Sequence, residues 1–293
     1  MYYRRKILLA LLDQFGGKLD KISLQKLLFL FVRHQGKKSY HFVPYKFGCF
    51  SFQADADLKT LAKYDQTIET EKYWEKKDSN DYFLELNKKD KSALRLILAQ
   101  YGNLDCDKLI EFTYKNYPFF AINSIIADKF LTKDELKKVE KQKPLKKDTV
   151  LFTIGYEGIS LEQYINKLII NDIKVLCDVR KNPFSMKFGF SKNQLIKACH
   201  GVDIEYMHFP EVGIENNKRQ DLNTQADYDK LFVYYKDSIL PSRVDKQKEL
   251  LEILISKKRI ALTCFEANIC QCHRKHLAEA LSTLSDNFKI QHI

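Results

Sequence analysis

Nowhere in the 293-residue chain is there a run of about 18 apolar residues, so nothing in it reads as a membrane-spanning helix. The start, Met1-Tyr2-Tyr3-Arg4-Arg5-Lys6, runs straight into an amphipathic segment and lacks the apolar core of a secretory signal. Cysteine is present in an odd number, seven, which does not suit a disulfide framework. The expectation is a reduced, cytoplasmic protein with free thiols and no membrane partner. Neither an internal repeat nor a low-complexity tract occurs, and the length suggests about two globular domains.

Charge is in surplus. Lys and Arg number 49 against 38 acidic residues, a formal +11. A basic balance favours anionic partners, nucleic acid or nucleotide first. Against this, many lysines sit beside Glu or Asp, as on ordinary solvated faces.

Apolar periodicity predicts helices over Arg4–Phe15, from Ser23 as cap to about His34, over Ala54–Lys63, Asp90–Tyr101 and Cys106–Tyr114. Tyr40–Gly48 reads as an aromatic edge strand or loop. Thr67–Glu75 and Tyr82–Leu86 alternate like a hairpin with residues 76–80 at its tip. Helices followed by a hairpin predict a helical, winged-helix-like domain over residues 1–131. The second helix, Leu24-Gln25-Lys26-Leu27-Leu28-Phe29-Leu30, is too apolar for a groove-reading helix and looks like core. A protein partner or a substrate-positioning role therefore suits this domain better than direct reading of DNA. Residues 132–148, rich in Lys and interrupted by Pro144, read as a linker.

From residue 149 the rhythm changes. Short apolar strands are expected at Thr149–Ile154, Ile173–Val179, Ile204–His208, Arg259–Cys264 and Phe288–Ile293. They alternate with helices, one capped by Ser160. The fold class is α/β: a Rossmann-like, mostly parallel sheet over residues 149–293. Ligands of such sheets bind beyond the carboxyl ends of the strands. Those ends are polar here: Gly155-Tyr156-Glu157-Gly158, Asp178-Val179-Arg180, His208-Phe209-Pro210-Glu211, and Glu266 followed by Cys270-Gln271-Cys272-His273-Arg274.

One such end admits a local explanation, such as Asp178 pairing with Arg180; four together predict a shared pocket. Asp178 and Glu266 are the candidate general acid and base, with His208 and His273 as reserve proton carriers. Gly155, Tyr156, Glu157, Arg180, Ser185, Lys192, Glu211 and Arg274 are the candidate ligand and phosphate contacts. Cys272, at a helix start beside Arg274, is expected to have a lowered pKa. The loop Lys181–Lys192 interleaves Lys with three Phe, a pattern that grips phosphates and stacks bases. Gly213–Asn223, with Lys218 and Arg219, reads as a flap over the site.

Three sharper readings compete at the end of the fourth strand. A phosphatase loop needs Cys six residues before Arg, and that position holds Asn268, which removes it. A zinc site could draw on Cys264, Cys270, Cys272 and His273, but the spacing matches no usual structural pattern, and no cofactor is expected. Sulfur transfer through Cys264 or Cys272, as in rhodanese-like enzymes, stays open.

Thr153-Ile154-Gly155-Tyr156-Glu157-Gly158, Asp178-Val179-Arg180, Pro183, Gly189-Phe190-Ser191-Lys192, Tyr206-x-His208-x-Pro210-Glu211-x-Gly213, Cys264-x-Glu266 and Cys272-His273-Arg274 together resemble the family called domain of unknown function 488. The resemblance covers about residues 149–293. It implies a Rossmann-like domain and no established reaction. Met186 stands where relatives often carry Arg. More loosely, Leu24–Leu30 and the stretch Phe42–Ser51 resemble Panacea-type, SocA-like antitoxin domains, which implies an adaptor-like module near toxin or defence systems. The function expected is an enzyme acting on a nucleotide or nucleic acid by metal-independent hydrolytic or glycosidic chemistry. A non-catalytic nucleotide sensor or antitoxin-type regulator is the alternative.

Overall fold

The computed structural model describes residues 1–219 and 222–293, and the chain divides into two compact units, Met1–Lys143 and Pro144–Ile293. Among the described residues no helix is long and apolar enough to cross a membrane.

The first unit runs α1 (Tyr3–Gln14), β1 (Lys18–Asp20), α2 (Lys21–Val32), β2 (Val43–Tyr45), β3 (Gly48–Phe50), α3 (Phe52–Lys63), β4 (Thr67–Glu69), β5 (Tyr73–Lys76), α4 (Lys88–Tyr101), α5 (Cys106–Asn116), α6 (Ala127–Phe130) and α7 (Lys133–Glu140). The last of these falls within the stretch read as a linker and starts with a capping box between Thr132 and Glu135. Helix α2 is core, as its composition requires: every residue from Leu24 to Val32 is buried.

Its N-cap is Asp20, not Ser23. The Asp20 carboxylate accepts the Ser23 backbone N–H at 2.8 Å, so the helix starts at Lys21. The hairpin also differs from expectation. Thr70 closes it, its side chain accepting the Tyr73 N–H at 2.9 Å, and β5 pairs with β4 on one side and β1 on the other. Residues 82–86 form turns instead. Trp74, only 2% exposed, anchors this register in the core.

The stretches Leu24–Leu30 and Phe42–Ser51 meet each other. Gln25 accepts the Ser51 N–H and donates to the Ser51 carbonyl. Buried Lys26 donates to the Phe47 carbonyl, and burial lowers its pKa. Their polar residues thus satisfy one another inside the fold.

The second unit runs β6 (Val150–Gly155), α8 (Leu161–Ile170), β7 (Val175–Asp178), α9 (Lys192–His200), β8 (Glu205–His208), α10 (Gln225–Tyr234), α11 (Val244–Lys257), β9 (Arg259–Cys264), α12 (His273–Leu284) and β10 (Lys289–His292). Its five-stranded sheet has the order β10-β6-β9-β7-β8 and every pairing in it is parallel. This is the α/β, Rossmann-like class that the alternation predicts. Ser160 caps α8 through a reciprocal box with Gln163.

Strand parity sorts the sheet's two faces. Leu151, Cys177, Val179, Ile260 and Leu262 share a core with Leu254 of α11 and Leu277 of α12. The alternate residues face α8, where the Tyr164 hydroxyl donates to Thr263 Oγ1 at 2.7 Å. Strand β9 lies between β6 and β7. The chain leaves β7 toward one edge of the sheet and β9 toward the other, which makes their carboxyl ends a topological switch point.

Candidate functional site

A cavity of about 430 Å³ opens at that switch point. Tyr156 beyond β6, Arg180 beyond β7, and Phe265 and Glu266 beyond β9 contribute to its wall, together with Ile214 and part of the loop that carries Lys181, Phe184 and Ser185.

Gly155 is required by this packing. A Cβ there would lie 1.9 Å from the Glu266 carbonyl oxygen, so only glycine lets the ends of β6 and β9 come together. The Tyr156 ring then stacks on Phe190 with centroids 4.3 Å apart and meets Phe265 edge to face. Glu157 is exposed and turns its carboxylate to the Ala267 N–H, so it fixes the β9 loop.

Asp178 and Arg180 form one buried pair on the α8 face. The Arg180 guanidinium donates through Nε to Asp178 Oδ1 at 2.8 Å and through Nη2 to Oδ2 at 2.5 Å. Its Nη1 donates to the Tyr156 hydroxyl and the Phe190 carbonyl. The Tyr206 hydroxyl completes the Asp178 shell at 2.7 Å. Burial opposes the charge on Arg180, but the Asp178 carboxylate outweighs it and raises the pKa further. Burial, then the same carboxylate, also raises that of Tyr206. His208 lies beside this group and contacts the Arg180 carbonyl through Nε2 at 2.9 Å. Asp178 is 0% exposed and Arg180 5%, so most of this pair stands behind the cavity wall.

On the α12 face a second buried cluster forms. Cys264, Cys272 and His273 place one ligand-type atom each within 4.8 Å of one another. His273 Nε2 lies 3.0 Å from the Val179 carbonyl, which can only accept, so the ring carries its proton on Nε2 and turns Nδ1 to the sulfurs. The Cys264 thiol donates to Glu266 Oε2 at 3.3 Å.

Cys272 sits at the helix N-cap, but its thiol does not have the lowered pKa expected of that position. Burial, then neighbouring Cys264, pushes it well above the ordinary value, and the opposing effect of Arg274 is smaller. Cys270 is exposed and outside the cluster.

Arg274 is 2% exposed and its guanidinium holds backbone: Nη1 donates to the Glu266 carbonyl at 2.6 Å and Nη2 to that of Ala267 at 3.4 Å. It positions Glu266 from behind. Arg274→Ala should cost about 1.5–3 kcal/mol, the range for a hydrogen bond to a charged group. The lower end is expected, since the Arg274 Nε has no partner among the described residues and its loss relieves a penalty. Thermal melting measures this. Arg274→Lys should not restore the wild-type Tm, because an ammonium cannot span two carbonyls in a plane.

Of the remaining residues predicted from sequence, Ser185 lines the cavity and its Oγ accepts the Lys187 N–H. Lys192 is exposed at the start of α9, and Glu211 lies half-buried in a short helical turn after β8; neither contributes to the cavity wall. Phe265 and Ile214, both in the wall, had no signal in the sequence beyond being apolar residues next to polar strand ends. The flap expected over Gly213–Asn223 includes residues 220 and 221 and the Arg219 side chain, which lie outside the described residues.

Residues 160–281 match the family model described as domain of unknown function DUF488. The match falls within the second unit and bears out the resemblance read from the motifs. The description names no reaction. No curated protein matches the chain.

Proposed function

We propose that the second unit binds a nucleotide, or a nucleotide of a single strand, in the strand-end cavity and acts on it hydrolytically, with Glu266 as the proton carrier. The observation that supports this most is the composition of the cavity mouth. Phe184 is 67% exposed and Phe265 41%, and Lys181 and Glu266 share the same wall with them. Exposed rings next to a cation suit stacked bases and phosphate. Glu266 is half-buried in the wall, while Asp178 is committed to Arg180 and Tyr206. The acid–base role therefore moves to Glu266. Sulfur transfer is disfavoured, because Cys264 and Cys272 are both 0% exposed and the Cys272 thiol is hard to ionise.

The first unit suits an anionic partner of its own. A cleft of about 840 Å³ there is lined by Lys37, Lys38, Lys88 and Lys89 along with Tyr2 and Tyr3. This reading assigns the +11 charge to polyanion contact and keeps the winged-helix-like, adaptor reading of that unit.

Fluorescence anisotropy with a short labelled single strand, competed by mononucleotides, tests the cavity. Phe184→Ala should weaken binding by about 1–3 kcal/mol, the usual worth of one stacked base. Lys181→Ala should weaken it and flatten the salt dependence by about 0.7 in the log–log slope, one phosphate contact on a single strand. Unchanged affinity in both variants would remove the cavity as the binding site.

A further inference from the structure

We propose that Cys264, Cys272 and His273 form a zinc-type metal site, with the fourth coordination position left on the side of Glu266. A tetrahedral zinc holds sulfur at about 2.3 Å and imidazole nitrogen at about 2.0–2.1 Å, which sets a sulfur–nitrogen edge of about 3.6 Å. Here His273 Nδ1 lies 3.8 Å from the Cys264 sulfur and 4.0 Å from that of Cys272. Both sulfur–nitrogen edges thus stand within a few tenths of an ångström of the separation that a shared ion imposes, and the two sulfurs lie within 4.8 Å of each other.

The imidazole is oriented as a ligand. Its far nitrogen is tied to the Val179 carbonyl, and metal-bound histidines are commonly held in this way by a backbone carbonyl. Fold geometry fixes all three donors. Cys264 is the last residue of β9 and points to the α12 face, while Cys272 and His273 open the helix packed on that face. Donors on rigid elements keep a site formed before the ion arrives. Soft thiolate with imidazole selects zinc or its analogues over magnesium or calcium.

Three protein ligands with one position unfilled is the pattern of catalytic rather than structural zinc. Glu266 is the residue that connects this cluster with the cavity: its Oε2 is 3.3 Å from the Cys264 sulfur, and it lines the wall. It does not join the three close-set donors, which leaves it beside the metal as an acceptor for the proton of a bound water. The use of that water rests on the hydrolytic reading above, whereas the metal site itself does not.

The test is cobalt(II) titration of the reduced, chelator-treated full chain, with no nucleotide present. One equivalent should produce a thiolate-to-cobalt charge-transfer band and the intense visible bands of tetrahedral cobalt, both abolished by zinc. Glu266→Gln and Cys270→Ser should keep these bands, and Cys272→Ser and His273→Gln should lose them with far-ultraviolet circular dichroism unchanged. Because a ligand variant can fail to fold, wild-type protein is also alkylated in mild denaturant: zinc should protect Cys264 and Cys272, and leave Cys270 reactive. A featureless titration, a weak octahedral spectrum, or alkylation indifferent to zinc would overturn the site. Loss of the bands in Glu266→Gln would overturn the open position. Since no step uses a nucleotide, failure here is separate from failure of the cavity to bind one.

Discussion

Asp178→Asn should destabilise the second unit by about 3–5 kcal/mol, the cost of removing one partner from a buried ion pair. The pair is 0% and 5% exposed, and the carboxylate accepts from Arg180 Nε, Arg180 Nη2 and the Tyr206 hydroxyl. An amide offers only one oxygen, so the guanidinium is left charged, buried and half-satisfied. The Tyr156 ring is involved too, because its hydroxyl accepts from the same guanidinium. The sole tryptophan, Trp74, lies in the first unit and does not report on this sheet. Hydrogen exchange of the β7 and β9 amides does. Replacing both partners by apolar residues of similar volume, Asp178→Leu with Arg180→Met, should recover much of the loss, as buried pairs replaced whole often show. A loss below about 1 kcal/mol for Asp178→Asn, the range of exposed pairs, would show that water reaches the pair.

The same pair shows what could be read in the sequence and what could not. The strand–helix alternation, the parallel sheet and the Ser160 cap follow from periodicity and cap chemistry, and the structure has them. That the strand ends are polar was also legible. Convergence on a single pocket was expected from the ends alone, but side chains alternate between faces. Asp178 lies on the α8 face and Cys264 on the α12 face, so the polar residues form two buried clusters. The cavity gathers mainly what lies just past the strands, namely Tyr156, Arg180, Phe265 and Glu266. Arg274 at a helix start looked like an anion fork, yet the close approach of β6 and β9 at Gly155 put the Glu266 carbonyl within its reach first. In the first unit a single threonine turn decided the hairpin: Thr70 closed it before the strand pattern reached Tyr82. Each departure came from a tertiary partner that no local window contains.

Glu266→Gln should lower turnover by about 10²–10⁴-fold, the span of a general acid–base contribution, with the fold intact. Glutamine keeps the size of the side chain, and the backbone carbonyl still accepts from Arg274, so the β9 loop holds its place. What is lost is a basic oxygen at the cavity wall, 3.3 Å from the Cys264 sulfur. KM for the nucleotide should change little, since Lys181 and Phe184 supply the binding contacts proposed above and both stay in place. The split between kcat and KM therefore separates a proton carrier from a residue that only shapes the cavity, because a shaping residue would raise KM as well. The pH profile sharpens the distinction: the acidic limb of kcat should flatten in the variant, because the amide does not titrate in that range. Asp178→Asn is the contrasting case, expected to lose stability first and activity only through unfolding. Steady-state kinetics on whichever nucleotide binds tightest, with Tm measured on the same preparations, decides between them. A Glu266→Gln enzyme with full kcat and an unaltered acidic limb would end the assignment of Glu266 as the proton carrier.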